Sequence, residues 1–200
     1  MTAKIFDLDL LERDIRACRA CADDFAATHT AHTPQPVAWL SSEARILVAG
    51  QAPGMRVHES GKPFDDRSGD RLRDWMGIER DVFYDRGKIA ILPMAFCFPG
   101  YDKSGSDLPP PKRCAALWRA QALAAMPQIV LTLLVGGYAH RDALKTRQSV
   151  SETVQSWRDH APDIIPLPHP SWRNTGWLKR NPWFGAELVP ELRSRVAALL

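Results

Sequence analysis

Residues Arg45–Gly54 read RILVAGQAPG, and this run decides the fold. Ile46, Leu47, Val48 and Ala49 form a short, continuously apolar block. Such a block is too short for a helix and lacks polar alternation, as in a strand buried on both faces of a parallel sheet. It ends in a glycine turn. Small residues and a proline at a strand end let backbone N–H groups face a cleft. Alone, two glycines in such a turn are a weak signal.

Outward from this strand, similar blocks recur at Lys88–Leu92, Gln128–Val135 and Ile164–Leu167. Helical patterns separate them. One runs from Leu8 to about Ala20, one from an N-cap at Ser68 to about Gly77, and one over Pro111–Met126 with proline at its start. Another follows Gly136–Gly137, and the last two cover Thr153–His160 and Ala186–Leu200. Strands alternating with helices predict an α/β fold: a three-layer α/β/α sandwich with a central four-stranded parallel sheet, one domain over residues 1–200. Sites in such sheets form at the carboxyl ends of the strands. Two long loops fall there, Gly50–Gly69 and Pro168–Asn181.

The bulk properties narrow the function classes. The 200 residues carry a net charge of +3, which permits a nucleic-acid partner without demanding one. No run reaches the ~18 apolar residues of a membrane span, and the acidic start (Asp7, Asp9, Glu12, Asp14) is unlike a signal peptide. A cytoplasmic monomer is expected. Late in the chain, Arg173, Lys179 and Arg180 alternate with Trp172, Trp177 and Trp183. Cations among aromatics suit a phosphate backbone with splayed bases, although tryptophans packed into a core would read the same way.

Chemistry concentrates in the two loops. Gly61–Gly69 (GKPFDDRSG) sets an aromatic, Phe64, and two carboxylates, Asp65 and Asp66, just before a helix start, where acidity is also common for purely structural reasons. The other loop reads LPHPSWRN from Leu167 to Asn174. His169, stiffened by a proline on each side at a strand end, is a candidate catalytic group beside Ser171 and Arg173. The cysteines are Cys18-x-x-Cys21, Cys97 and Cys114. A reducing compartment favours metal or redox work over a structural disulfide, and four cysteinates could hold an iron–sulfur cluster or zinc. Four buried free thiols are the alternative.

A strand ending in G-[QE]-x-P-G, then G-x-P-F, then a late H-P-S is the motif set of the uracil-DNA glycosylase superfamily, and the chain resembles it from about Cys18 onward. The cysteine order resembles that of the thermostable bacterial and archaeal members with a [4Fe–4S] cluster. The resemblance implies a DNA glycosylase that hydrolyses the N-glycosidic bond of uracil, or of another deaminated or damaged base, flipped out of single- or double-stranded DNA. It makes Cys18, Cys21, Cys97 and Cys114 the cluster ligands. Gly50, Gln51, Ala52, Pro53 and Gly54 would cradle the base and position water. Phe64 would stack on the base, and His169 would hydrogen-bond the base oxygen on which charge develops. Ser171 would touch a phosphate, while Trp172, Arg173 and Asn174 would fill the space the base left.

Two positions depart from the family pattern. Ala52 stands where the G-Q-D-P-Y members keep their catalytic aspartate. The stretch Phe64–Gly69 resembles the F-x-G-D-x-S-G segment of another branch, whose aspartate is held to be catalytic; this makes Asp66 the substitute, with Asp65 as its alternative across a one-residue gap. Pro93 stands where a uracil-reading Asn is frequent, which leaves base preference open. A protein of the same fold that binds DNA or a nucleotide without turnover is the competing reading. An α/β hydrolase lacks its G-x-S-x-G elbow here, and a dinucleotide site lacks its G-x-G-x-x-G.

Overall fold

The computed structural model describes residues 7–200; residues 1–6 of the expected domain lie outside the described residues. Four parallel strands form one sheet: β1 (Ile46–Ala49), β2 (Ile89–Ile91), β3 (Leu131–Val135) and β4 (Ile164–Leu167), in the order β2-β1-β3-β4. The sheet is covered on both faces, and strand β1 shows why. Ile46 and Val48 pack with Leu72, Trp75, Leu188 and Leu192, whereas Leu47 packs with Leu11, Ile15, Ala122 and Met126. One face is covered by the helices Arg67–Met76 and Val189–Ala197, the other by Leu8–Ala17 and Lys112–Ala124. The molecule is thus a three-layer α/β/α sandwich.

Edges are handled locally. Pro166 lies inside β4, which is tolerable because β4 is an outer strand and needs ladder bonds on one side only. At the other edge, Trp39 exchanges two backbone hydrogen bonds of 2.8 Å with Ile91, covering β2.

The strand order reverses between β1 and β3, so the chain leaves their carboxyl ends in opposite directions and opens a crevice there. Several boundaries differ from expectation. The first helix stops at Ala17, because Cys18 turns to extended backbone. Both long loops contain short helices, Met55–Ser60 and Thr175–Arg180, and a further one covers Arg80–Phe83. The segment expected at Thr153–His160 is an α-helix at Val150–Gln155 followed by a 3₁₀ turn at Trp157–Asp159. The last helix opens with π-helical Phe184–Leu188. Ser68 is not the cap of the Arg67–Met76 helix. Asp66 is: its carboxylate accepts from the Gly69 N–H at 2.9 Å.

Candidate active site

The carboxyl ends of β1 and β4 open on a cleft of about 650 Å³, within the usual range of ligand sites. Gly50–Gly54 form one wall, Phe64 and Asp66 another, and His169, Ser171, Trp172 and Arg173 a third. The two loops singled out in the sequence therefore converge.

The first loop is pinned by its backbone. The Gly50 and Gln51 carbonyls accept from the Met94 and Ala95 N–H groups at 2.9 and 3.1 Å. This ties the turn after β1 to the segment after β2 and leaves the Gln51 side chain in the cleft wall. Gly50 has a steric reason to be glycine, since a Cβ there would come within 3.3 Å of the Phe64 ring.

Phe64 adopts a left-handed backbone (φ 53°), uncommon for an aromatic residue. Its carbonyl is held by the Tyr84 hydroxyl at 3.2 Å and by Arg73 at 3.4 Å, and its ring meets Phe83 edge to face. That tight turn allows no side chain at Gly69, where a Cβ would lie 1.8 Å from the Phe64 carbonyl oxygen. Asp66 emerges from this turn half-buried in the cleft wall. Asp65 points elsewhere: it pairs with Arg80 at 2.6 Å, which holds its carboxyl below the usual range. Of the two carboxylates weighed from sequence, Asp66 is the one in the cleft.

His169 follows β4 and lies against Gly136 at the end of β3; a Cβ on Gly136 would be 3.6 Å from the His169 Cβ. The Ser171 N–H donates to His169 Nδ1 at 3.2 Å. That bond needs a lone pair on Nδ1, so the ring proton sits on Nε2. Burial pushes the His169 pKa down, partly opposed by the Asp66 carboxylate. The result is a neutral imidazole with one N–H to donate, facing a carboxylate across the cleft.

Asn174 does not line the cleft. Its amide donates to the His169 carbonyl at 2.7 Å, bracing the loop. The tryptophans divide as well. Trp177 and Trp183 pack against each other and Phe184 at 5.7–6.4 Å, as core aromatics do. Trp172 is 72 % exposed at the cleft rim, the most exposed large hydrophobic side chain among the described residues. Arg56, Arg67 and Arg173 add positive charge to the same rim. Sequence reasoning passed over Asp107, which lies in the cleft wall, and Arg71, which reaches from the helix capped by Asp66 to the Ser171 carbonyl.

The cysteines lie apart from the cleft. Cys18, Cys21, Cys97 and Cys114 all line one small apolar cavity. Burial, with the neighbouring cysteines adding to it, pushes the Cys97 thiol up to about 12; burial likewise takes Cys114 to about 11. The Phe96 N–H points at Cys114 Sγ at 3.3 Å. An N–H···S contact and four sulfurs around one cavity are the donor chemistry that a cluster or zinc requires. The sulfurs are not closed on a common point: among the described residues no set of three or more His, Cys, Asp or Glu side chains is arranged to hold a metal ion. Among these residues no helix is long and apolar enough to cross a membrane.

The family model described as the uracil DNA glycosylase superfamily matches residues 38–193. The match takes in the whole sheet, both loops and all of the cleft lining but Val37, and leaves out only Cys18 and Cys21 of the residues discussed above as candidate ligands or contacts. With more than three-quarters of its length matched, the chain belongs to the uracil DNA glycosylase superfamily.

Proposed function

We propose that the protein is a DNA glycosylase that removes uracil, or another deaminated or damaged base, flipped out of DNA. The observation that carries this reading is a carboxylate, Asp66, and a neutral imidazole, His169, lining one cleft from loops about a hundred residues apart, with Phe64 beside them.

Cleavage breaks the bond between sugar C1′ and the base nitrogen, the electron pair leaving with the base. The sugar becomes cationic and the base anionic. Asp66 would stabilise the sugar cation and take a proton from the water that attacks C1′, as carboxylates do in other glycoside hydrolyses. The Nε2–H of His169 would hydrogen-bond the charged base oxygen, the role of an oxyanion donor. Phe64 would stack on the extruded base, at ~1–3 kcal/mol per stacked base, against an unstacking cost of a few kcal/mol. Exposed Trp172 and the rim arginines would meet the DNA.

Cys18, Cys21, Cys97 and Cys114 would hold a [4Fe–4S] cluster, with zinc as the alternative. Bound there, either would act as a structural brace between the N-terminal segment and the loop after β2.

The test is excision from single- and double-stranded oligonucleotides containing uracil, xanthine or hypoxanthine. Base release is expected; a metal-replete preparation that releases none of them removes this reading. The competing reading is a binding protein of the same fold. It is favoured by the apolar Ala52 in the first turn and by the use of one Asp66 oxygen as a helix cap. It predicts retained DNA affinity with no turnover.

A further inference from the structure

Phe64 stands in a left-handed backbone (φ 53°) at the cleft wall. Glycine takes that conformation freely. An aromatic residue takes it only at a cost, and persists there when its surroundings over-determine it. Those surroundings can be named. The Tyr84 hydroxyl lies within hydrogen-bond reach of two consecutive carbonyls, Pro63 at 3.0 Å and Phe64 at 3.2 Å, with one proton to share between them. Buried Arg73 reaches the Phe64 carbonyl at 3.4 Å while paired with Asp70 at 2.5 Å. The next residue along, Asp65, is tied to Arg80 at 2.6 Å. Arg80 opens the short helix Arg80–Phe83 and Tyr84 follows it, so one turn of chain grips the turn from Pro63 to Asp65.

Tyr84 is itself held. Its ring meets Trp39 and Phe83 edge to face at 5.5 and 5.2 Å, and Lys62 Nζ lies 3.9 Å from its centre. Burial keeps its pKa above the ordinary phenol value, with Arg73 and Arg80 opposing, so the hydroxyl remains a donor throughout the neutral range.

We propose that Tyr84 is a positioning residue: through the Pro63 and Phe64 carbonyls, its hydroxyl holds the Phe64 ring as the fixed face on which an extruded base stacks. This rests on the glycosylase reading above. Glycine at position 64 would satisfy the backbone without strain, so what the strain secures is the ring. The end of that ring fits against Gly50, where a Cβ would come within 3.3 Å of Phe64 Cζ, and Phe83 meets it edge to face at 6.0 Å. Phe64 is still only half-buried and lines the cleft, so part of the ring is open to a ligand. A ring fixed in advance needs no ordering when a base arrives. Tyr84, Arg73 and Arg80 are not among the cleft-lining residues, so each acts through the turn.

The test is a double-mutant cycle over wild type, Y84F, F64G and Y84F/F64G. Y84F removes the hydroxyl and keeps its ring; F64G removes the stacking ring and relieves the backbone. F64A replaces F64G in the cycle if the glycine variant does not fold. Two readouts run together. One is kcat/KM for uracil excision. The other is the brightening of 2-aminopurine beside a 2′-fluorinated uracil nucleotide, whose sugar resists cleavage; the fluorophore brightens when its neighbour leaves the stack and so reports extrusion without turnover. Misplaced groups can cost about 10²-fold in rate, and Y84F, which removes one of several restraints, is expected to lose about tenfold in kcat/KM with weaker brightening. In the F64G background the same change is expected to cost nothing further. A loss of equal size with and without Phe64 would mean that Tyr84 serves the fold at large, and overturns the proposal. So does a Y84F variant that matches wild type in both readouts. Wild type that brightens the probe but releases no uracil removes the glycosylase reading, and the fluorescence cycle then decides the role of Tyr84. Wild type that does neither sinks both.

Discussion

Arg71 Nη1 donates to the Ser171 carbonyl at 2.9 Å, joining the helix capped by Asp66 to the loop that carries His169. The contact spans 100 residues of sequence, and a second, longer one of 3.3 Å reaches the Thr175 hydroxyl. It therefore ties together the two elements that carry the groups assigned to the chemistry. Small misplacements of reacting groups can cost about 10²-fold in rate. R71M is expected to lower kcat/KM for uracil excision about ten- to hundred-fold, with Tm changed little. Steady-state kinetics beside thermal unfolding read both; an unchanged rate would mean that the loops hold their places without this tie.

Asp66 has two separable roles, helix cap and candidate base. Asn caps a helix about as well as Asp, whereas Ala costs about 1 kcal/mol. D66N is therefore expected to keep wild-type stability and lose most excision activity, and D66A to lose both. Denaturant unfolding and an excision assay on the two variants distinguish the roles. If D66N retains full activity, the carboxylate is needed only for the helix.

The same residue shows how much of the site could be read before the fold was known. The stretch DDRS holds three good capping residues in a row of four, so local preference cannot choose among them. The choice is made by the left-handed turn at Phe64 and the absence of a side chain at Gly69, which are three-dimensional facts. The strands and the two loops were legible because continuous apolar runs ending in glycine or proline have few other readings. The short helices Met55–Ser60 and Arg80–Phe83 were not, since a turn or two leaves no periodicity to detect. Asp107 was hidden for another reason. Amid Gly, Ser and Pro it looks like any turn residue, and only the folding of its segment into the cleft wall distinguishes it. Asn174 was misplaced because a motif records neighbours in sequence but not which way an amide points.

His58, His140 and His169 share one consequence of burial: each is held below the ordinary histidine pKa. The unfolded chain, with histidines near 6.5, binds protons that the folded state refuses. The stability these groups contribute is therefore complete above about pH 6.5 and declines as pH falls toward their folded values. Tm is expected to be flat from about pH 8 to 7 and to fall on further acidification. H169A is expected to blunt part of that fall and to lower excision about 10²–10³-fold at neutral pH, the usual cost of removing such a donor. A Tm that rises on mild acidification would contradict the neutral imidazoles.

The four cysteines make the most visible prediction. A thiol pushed up to about 12, as Cys97 is, stays protonated at neutral pH unless a metal takes the place of the proton. Around one apolar cavity, four free thiols would be inert packing, whereas four cysteinates need a cationic core to offset their mutual repulsion. Freshly purified protein is expected to be brown with about four iron atoms per chain if a [4Fe–4S] cluster is bound, or colourless with about one zinc if the alternative holds. Chelation or C97S should remove the metal and lower Tm by several degrees. The cavity lies apart from the cleft, so excision should fall only as far as folding does. Metal-free protein of undiminished Tm would show that Cys18, Cys21, Cys97 and Cys114 act as small hydrophobic side chains and nothing more.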